Sequence, residues 1–177
     1  KFSHPPREDM NPLPATCESR VLWRRALPGL PADLRYAFLE ATGRSLYLSV
    51  PGGIREFDRA TGEAVGQWEA TGRYEPPLLS ENLLVWTDEN KIYVQDTDRR
   101  PLEPREYGFK SAGIGLARPT VEKGIAYGGG SGLAYAMDLA TGELKWQVAP
   151  STPIHTPPAV FARDAVFFDD DGAVFSV

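Results

Sequence analysis

Five features of the sequence have residue types suited to chemistry: the run Gly128-Gly129-Gly130-Ser131-Gly132, the run Asp169-Asp170-Asp171-Gly172, the lone Cys17, and the histidines His4 and His155. A glycine run cradles phosphate when its backbone N–H groups converge at a helix start and a Lys-Ser or Lys-Thr follows. No such pair follows Gly132 and no helical pattern begins there, so the run reads as a flexible hairpin turn. The acidic run lacks the alternate spacing and the distal Glu of a helix-loop-helix calcium site. A solvated turn is the expectation there, with a weak cation site as the alternative. A single cysteine forms no intrachain disulfide, no Cys-Cys redox pair and no thiolate zinc centre. The small residues Pro14-Ala15-Thr16 precede Cys17, as they would a lipid-attached cysteine, but the lead is polar and proline-rich where an apolar signal segment belongs. Cys17 therefore reads as a spectator thiol. His4 and His155 are placed too far apart to share one metal, and the sequence has neither a Gly-x-Ser-x-Gly elbow nor a Cys beside a base. The expectation is a chain with no catalytic, cofactor-binding or metal-ligating residue, and so not an enzyme.

What must then be positioned is a fold. The chain has 177 residues, with 17 Gly, 16 Pro and 11% aromatics, enough for one globular domain. Its 19 basic and 24 acidic residues give a net charge of -5, with basic residues at most paired, which disfavours nucleic acid as a partner. No apolar run approaches the roughly 18 to 20 residues that cross a bilayer as a helix. The first residue is Lys1 and not Met, as after removal of a signal peptide or a tag.

Residues 1–20 carry four prolines and no apolar periodicity, which predicts an extended N-terminal arm. From Val21 the text is all-β: short apolar runs such as Leu46-Tyr47-Leu48-Ser49-Val50, Lys91-Ile92-Tyr93-Val94 and Ala165-Val166-Phe167-Phe168, punctuated by Gly, Asn, Asp or Pro. No segment holds a helical stripe, although Asp33 to Glu40 has room for a brief turn. Self-comparison shows a repeat. Ser131 to Trp146 aligns with Pro51 to Glu63 followed by Trp68, so that Asp58 matches Asp138, 80 residues on, and Asp96 falls between them. The period is near 40, with four strands in each full unit, which is a β-propeller blade.

The recurrent residues have structural work. In Asp58-x-x-Thr61-Gly62 and Asp138-x-x-Thr141-Gly142 the carboxylate accepts backbone N–H groups across a turn, Thr does so more weakly, and Gly supplies positive φ. Trp68 and Trp146 offer flat surfaces to wedge between neighbouring blades. The second unit departs from this pattern, with Arg99-Arg100 in place of Thr-Gly, no following Trp, and Pro101 and Pro104 interrupting the outer strand.

These features together resemble the PQQ-type β-propeller repeat: a Gly, an apolar-Tyr-Ala-apolar-Asp strand, a Thr-Gly turn and a Trp in the last strand. Ser131 to Trp146 is a near-complete match and Gly52 to Trp68 a good one. The family includes quinoprotein dehydrogenases, BamB-like lipoproteins of outer-membrane assembly and sensor domains of bacterial kinases. Its quinone enzymes place the cofactor in a much larger ring beside a disulfide of neighbouring cysteines, a Trp floor, calcium ligands and a catalytic Asp. With one cysteine and half the blades, the present chain is closer in character to the non-catalytic members, and the resemblance implies no cofactor.

The expected blades are residues 34–70, 75–108, 117–149, and a composite of 156–177 completed by 21–28, all within a domain of residues 21–177. The last unit has three strands, and Val21-Leu22-Trp23 to Pro28 resembles an outer strand without a blade, so the ends complete each other in a four-bladed ring. The competing accounts are a piece of a seven- or eight-bladed ring and a dimer in which two chains exchange outer strands.

Binding is the function left. Residues just before each innermost strand should line one mouth of the central channel: Arg35 and Tyr36, Tyr74 and Glu75, Arg118, then His155 and Thr156. Aromatics, cations and amides of this kind suit a peptide segment or a polar ligand, and the bland alternative has the tyrosines packing the channel. Arg99 to Arg105 is a second candidate surface, where a partner's strand would pair. The reading is a non-catalytic propeller that scaffolds protein interaction outside the cytoplasm, periplasmic or secreted, as monomer or strand-exchanged dimer. The alternative is a ligand-sensing module or a fragment of a larger PQQ-type propeller.

Overall fold

Runs of four to six residues with side chains alternating between two covered faces have one way to satisfy their backbone, which is pairing with the next run through a tight turn. The computed structural model describes residue 24 and residues 37–50, 52–69, 76–99, 103–110, 115–162 and 164–177. Every regular element among them is a strand. Blade one is β1 (Phe38–Ala41), β2 (Ser45–Val50), β3 (Gly53–Asp58) and β4 (Ala64–Glu69). Blade two is β5 (Leu78–Ser80), β6 (Leu83–Thr87), β7 (Lys91–Asp96) and β8 (Arg105–Gly108). Blade three is β9 (Thr120–Glu122), β10 (Ile125–Gly130), β11 (Leu133–Asp138) and β12 (Leu144–Val148). Blade four is β13 (Ala159–Phe161), β14 (Asp164–Phe168) and β15 (Val174–Ser176). Strands within each blade are antiparallel and in sequence order, giving three four-stranded sheets and one three-stranded sheet. The innermost strands β1, β5, β9 and β13 touch in that order.

The Asp-x-x-Thr-Gly turns are built as their residue types require. Asp58 Oδ1 accepts the N–H of Ala60 at 2.9 Å and of Thr61 at 2.8 Å, while Gly62 N–H, at φ 70°, bonds back to Asp58 O at 2.8 Å. Asp138 repeats this with Ala140 and Thr141 at 2.9 and 3.1 Å, and Gly142 sits at φ 76°. In both blades the ladder shifts register just before the Asp, between Glu56 and Phe57 and between Ala136 and Met137, a bulge that tightens the entry to the turn. Blade two builds a substitute, in which Asp96 Oδ1 accepts from Asp98 N–H and Asn82 Nδ2, and Arg99 Nε pairs with Asp96 Oδ2 at 3.2 Å.

Three apolar clusters join consecutive blades. Tyr47 and Ile54 of blade one meet Leu84, Trp86 and Tyr93 of blade two; Val85, Ile92 and Val94 meet Ala126, Tyr135 and Met137 of blade three; Ala134 and Ile154 meet Ala165 and Phe167 of blade four. Each fully buried side chain of this size stabilises by about 1.5 to 3 kcal/mol. The tryptophans wedge as their position suggested: Trp68 lies 6.4 Å from Tyr47 and 6.3 Å from Trp86 across the first interface, and Trp146 lies 6.3 Å from Tyr127 and 6.1 Å from Phe167 across the third. Trp68 stands opposite Ile54, whereas Trp146 stands opposite Ala136, two places nearer the turn. The Trp68 indole reaches back over Gly66, where an added Cβ would lie 3.1 Å from the ring. At the second interface Tyr107 of β8 takes the role of the missing Trp, with its hydroxyl donating to Leu139 O at 3.2 Å and its ring against Gly142.

Two expectations are corrected. Gly128–Gly130 are not in a turn but in β10, and only Ser131 and Gly132 turn. The glycines are needed because a Cβ on Gly128 would strike the Tyr135 hydroxyl and one on Gly129 would lie 2.8 Å from Ile154. They pair with Tyr135, Ala134 and Leu133 of β11, and the carbonyls of Gly129 and Gly130 accept the N–H groups of Ala117 and Ile154, so this backbone is not aimed at a phosphate. The brief turn expected up to Glu40 is instead strand from Phe38, paired with β2. The expected arm 1–20, with His4 and Cys17, and the expected closing strand 21–28, with Trp23, lie outside the described residues, apart from Arg24.

Gly132→Ala and Gly142→Ala test the packing of Tyr107. Both glycines have positive φ, at 75° and 76°, but only a Cβ on Gly142 meets a ring. Urea denaturation is expected to show a loss of about 1 kcal/mol for Gly132→Ala and of about 3 kcal/mol for Gly142→Ala. Equal losses would mean that Tyr107 does not clamp the turn. The turn hydrogen bonds to Thr61 and Thr141 hold the Asp58 and Asp138 carboxyls below their ordinary range. Their contribution is present above the unfolded pKa near 3.8 and is lost as pH falls through the lower folded value. Melting temperature is expected to fall on acidification below about pH 4, and to fall less in the Asp58→Asn, Asp138→Asn double variant.

Candidate functional site

Three segments of similar chemistry converge where the innermost strands begin. Pro77, Pro119 and Pro158 directly precede β5, β9 and β13, at intervals of 42 and 39 residues. Proline at the first position of a strand fixes φ and donates nothing, so the chain enters extended with its carbonyls free to accept. Two of these carbonyls are used between blades: Arg118 Nη2 donates to Pro77 O at 3.1 Å, and Thr120 Oγ1 donates to Pro158 O at 2.6 Å.

Arg118 is the hub. Its Nη2 also faces Glu40 Oε1 at 3.3 Å, with both side chains about two-thirds buried. One guanidinium thus joins β1 of blade one, the start of β5 in blade two and the start of β9 in blade three. Its Nε is buried with no hydrogen-bond partner among the described residues. Arg118 lines a cavity of about 240 Å³ together with Leu78, Ser80, Thr120, Val121 and Pro157. A guanidinium that lines a cavity beside Leu78 and Val121 has the chemistry to donate to a carboxylate or an amide oxygen.

Of the other predicted mouth residues, His155 and Thr156 are described. His155 and Thr156 are exposed, and His155 Nε2 lies 3.2 Å from Asp170 Oδ2 in the β14–β15 turn. Within that acidic run Asp169 Oδ1 accepts Ala173 N–H at 2.8 Å, and Asp170 N–H bonds to Pro153 O at 3.0 Å, so these two residues hold the turn. Arg35, Tyr36, Tyr74 and Glu75 lie outside the described residues. Glu40 was missed in the sequence because nothing marks a single acid on a strand, whereas the three prolines were a legible signal. On the second candidate surface, Arg105 Nη1 donates to Ala140 O of blade three at 2.8 Å, so that part of the edge is committed to the neighbouring blade. A larger groove of about 630 Å³ opens between blades two and three, lined by Phe109, Lys110, Ser131, Leu133, Leu144 and Gln147 among others.

No protein-family model matches the sequence, and no curated protein matches it. Solved structures do match in shape. The computationally designed Ika4 protein aligns with 78% of this chain and 88% of its own at a TM-score of 0.64 and 14% identity. BamB from Moraxella catarrhalis aligns with 80% of this chain and 45% of its own at 0.61 and 20% identity. Hsv2 from Kluyveromyces lactis aligns with 83% and 48% at 0.62 and 12% identity. The chain is a β-propeller. It spans less than half the length of BamB and of Hsv2. No helix among the described residues is long and apolar enough to cross a membrane.

The tie through Arg118 is open to measurement. Arg118→Ala is expected to lose about 1 to 2 kcal/mol in chemical denaturation and Glu40→Gln less, with a coupling of about 0.5 kcal/mol in the double variant. An Arg118→Ala chain as stable as the parent would show that the guanidinium does not hold the three blades.

Proposed function

We propose that the chain is a non-catalytic propeller of the PQQ-like type that scaffolds protein interaction outside the cytoplasm, taking a peptide segment at the channel mouth. The observation that carries this reading is Arg118, a cation that lines the cavity beside the starts of β5 and β9 and is paired with a single carboxylate. At about 240 Å³ the cavity falls short of the roughly 300 to 1,000 Å³ usual for small-molecule sites, and it suits one acidic or amide side chain of a longer segment. The repeated carboxylates Asp58 and Asp138 are spent on turns, which supports a structural role for the repeat. Likeness to BamB in shape supports the extracytoplasmic placement and the interaction role. In this reading the domain is residues 21–177, with blade four completed by an outer strand.

A ligand-sensing module is the second reading. The groove of about 630 Å³ supports it, since its volume is within the small-molecule range and it combines Phe109 and Leu133 with Lys110 and Gln147.

A peptide array followed by fluorescence anisotropy separates the two. Segments bearing Asp or Glu are expected to bind, with Arg118→Ala weakening them at least about tenfold and added salt weakening them further. Binding indifferent to Arg118 would sink the channel reading. Thermal shifts from small polar molecules, abolished by Leu133→Arg and not by Arg118→Ala, would favour the groove.

A further inference from the structure

The three interfaces between blades are not closed alike. At the first, Trp68 stands opposite Ile54 and lies against Trp86, and at the third Trp146 lies against Phe167. In blade two Tyr107 stands opposite Ile92 as Trp68 stands opposite Ile54, but its ring packs on Gly142 and its hydroxyl donates to Leu139 O. Those contacts hold it at the end of blade three where the Asp138 turn lies. The chain then leaves β8, and the groove of about 630 Å³ opens between the end of this four-residue outer strand and blade three.

Strand alternation puts Leu133 and Tyr135 on one face of blade three, and the β11–β12 register adds Gln147, opposite Tyr135, and Leu144, opposite Met137. This face meets blade two, where the rings of Tyr135 and Phe109 lie 4.8 Å apart. Phe109, Leu133 and Leu144 therefore give the groove an apolar side. Lys110 is the one charged residue among the described residues that line it; it is exposed and has no ion pair among them. The side chains of Ser131 and Gln147, also in the lining, make no hydrogen bond among the described residues. In a chain of net charge -5, an apolar groove with a cation and no acid is a local exception.

We propose that this groove binds an amphipathic monocarboxylate, with the carboxylate on Lys110 and the apolar body against Phe109, Leu133 and Leu144. The proposal rests on the reading of the groove as a small-molecule site and names the class of ligand. One ammonium matches one negative charge, whereas a phosphate dianion or a dicarboxylate would leave charge unmatched beside two leucines. The Ser131 hydroxyl and the Gln147 amide are neutral donors available to the second carboxylate oxygen. An apolar body is required because a small polar acid would leave Phe109 and the leucines in water and forgo the hydrophobic part of the binding energy.

Isothermal titration calorimetry on the full chain near neutral pH tests it, with decanoate and decylammonium as probes below their micelle concentrations. Decanoate is expected to bind at least about tenfold more tightly than decylammonium. The net charge of -5 favours the cation over the rest of the surface, so a preference for the acid reports the groove. Lys110→Glu is expected to reverse the order of the two probes. Leu144→Glu, at a position 37% exposed, is expected to abolish decanoate binding with unchanged far-UV circular dichroism. Equal binding of both probes, indifferent to Lys110→Glu but lost in Leu144→Glu, would overturn the proposal and leave the small-molecule reading of the groove standing. Decanoate binding that survives Leu144→Glu lies elsewhere and would overturn the proposal as well. Should neither probe bind, the proposal fails, and the thermal shifts sensitive to Leu133→Arg decide separately whether the groove takes another class of molecule.

Discussion

The structure depends on one constraint: a short antiparallel sheet with apolar side chains on both faces is stable only between two others. Side chains alternate along a strand, so each blade has two apolar surfaces and neither can face water cheaply. Stacking blades round an axis meets this demand with one kind of contact, used three times within the chain. The tight turns serve the same end. A carboxylate such as Asp138 gathers two backbone N–H groups, and Gly142 takes the positive φ, so the outer strand returns without protruding into the next blade.

Departures from the repeat show which parts of it matter. Blade two has no Thr-Gly and no outer Trp, yet its turn is held through Arg99 and Asn82, and its interface through Tyr107 and Arg105. What is preserved is the closed turn and the wedge between blades, not the residue types. Blade one shows the converse. Glu56 occupies the position of Val94 and Ala136 and is buried, with the hydroxyls of Ser45 and Tyr47 donating to its Oε1. A carboxylate inside an otherwise apolar interface is tolerated because strand β2 brings two hydroxyl donors to it, in line with the cost of burying such a group unpaired.

These cases also mark how far the sequence was legible. The strands of blades three and four, the Asp-x-x-Thr-Gly turns and the wedging tryptophans were readable because they repeat, and repetition separates a pattern from coincidence. Gly128–Gly130 misled because glycine signals two things, a turn or a close approach, and only Tyr135 and Ile154 in three dimensions decide between them. Tyr107 and Glu40 were invisible for a related reason. Each acts through a partner more than thirty residues away, Leu139 for one and Arg118 for the other, and neither stands in a recurring place.

The same distinction orders the functional reading. Residues that recur, such as Asp58 and Asp138, have their hydrogen-bonding capacity filled within their own turns and have little left for a ligand. Capacity remains where the repeat is broken. Arg118 has no equivalent before β5, where Pro76 stands, or before β13, where Pro157 stands. A cation at one of three matching positions breaks the symmetry of the channel, and its ties to Glu40 and the Pro77 carbonyl leave Nε unmatched. Asp58 and Asp138, which recur, are employed in holding the turns together, and the residue with a donor to spare is Arg118, which the repeat does not require.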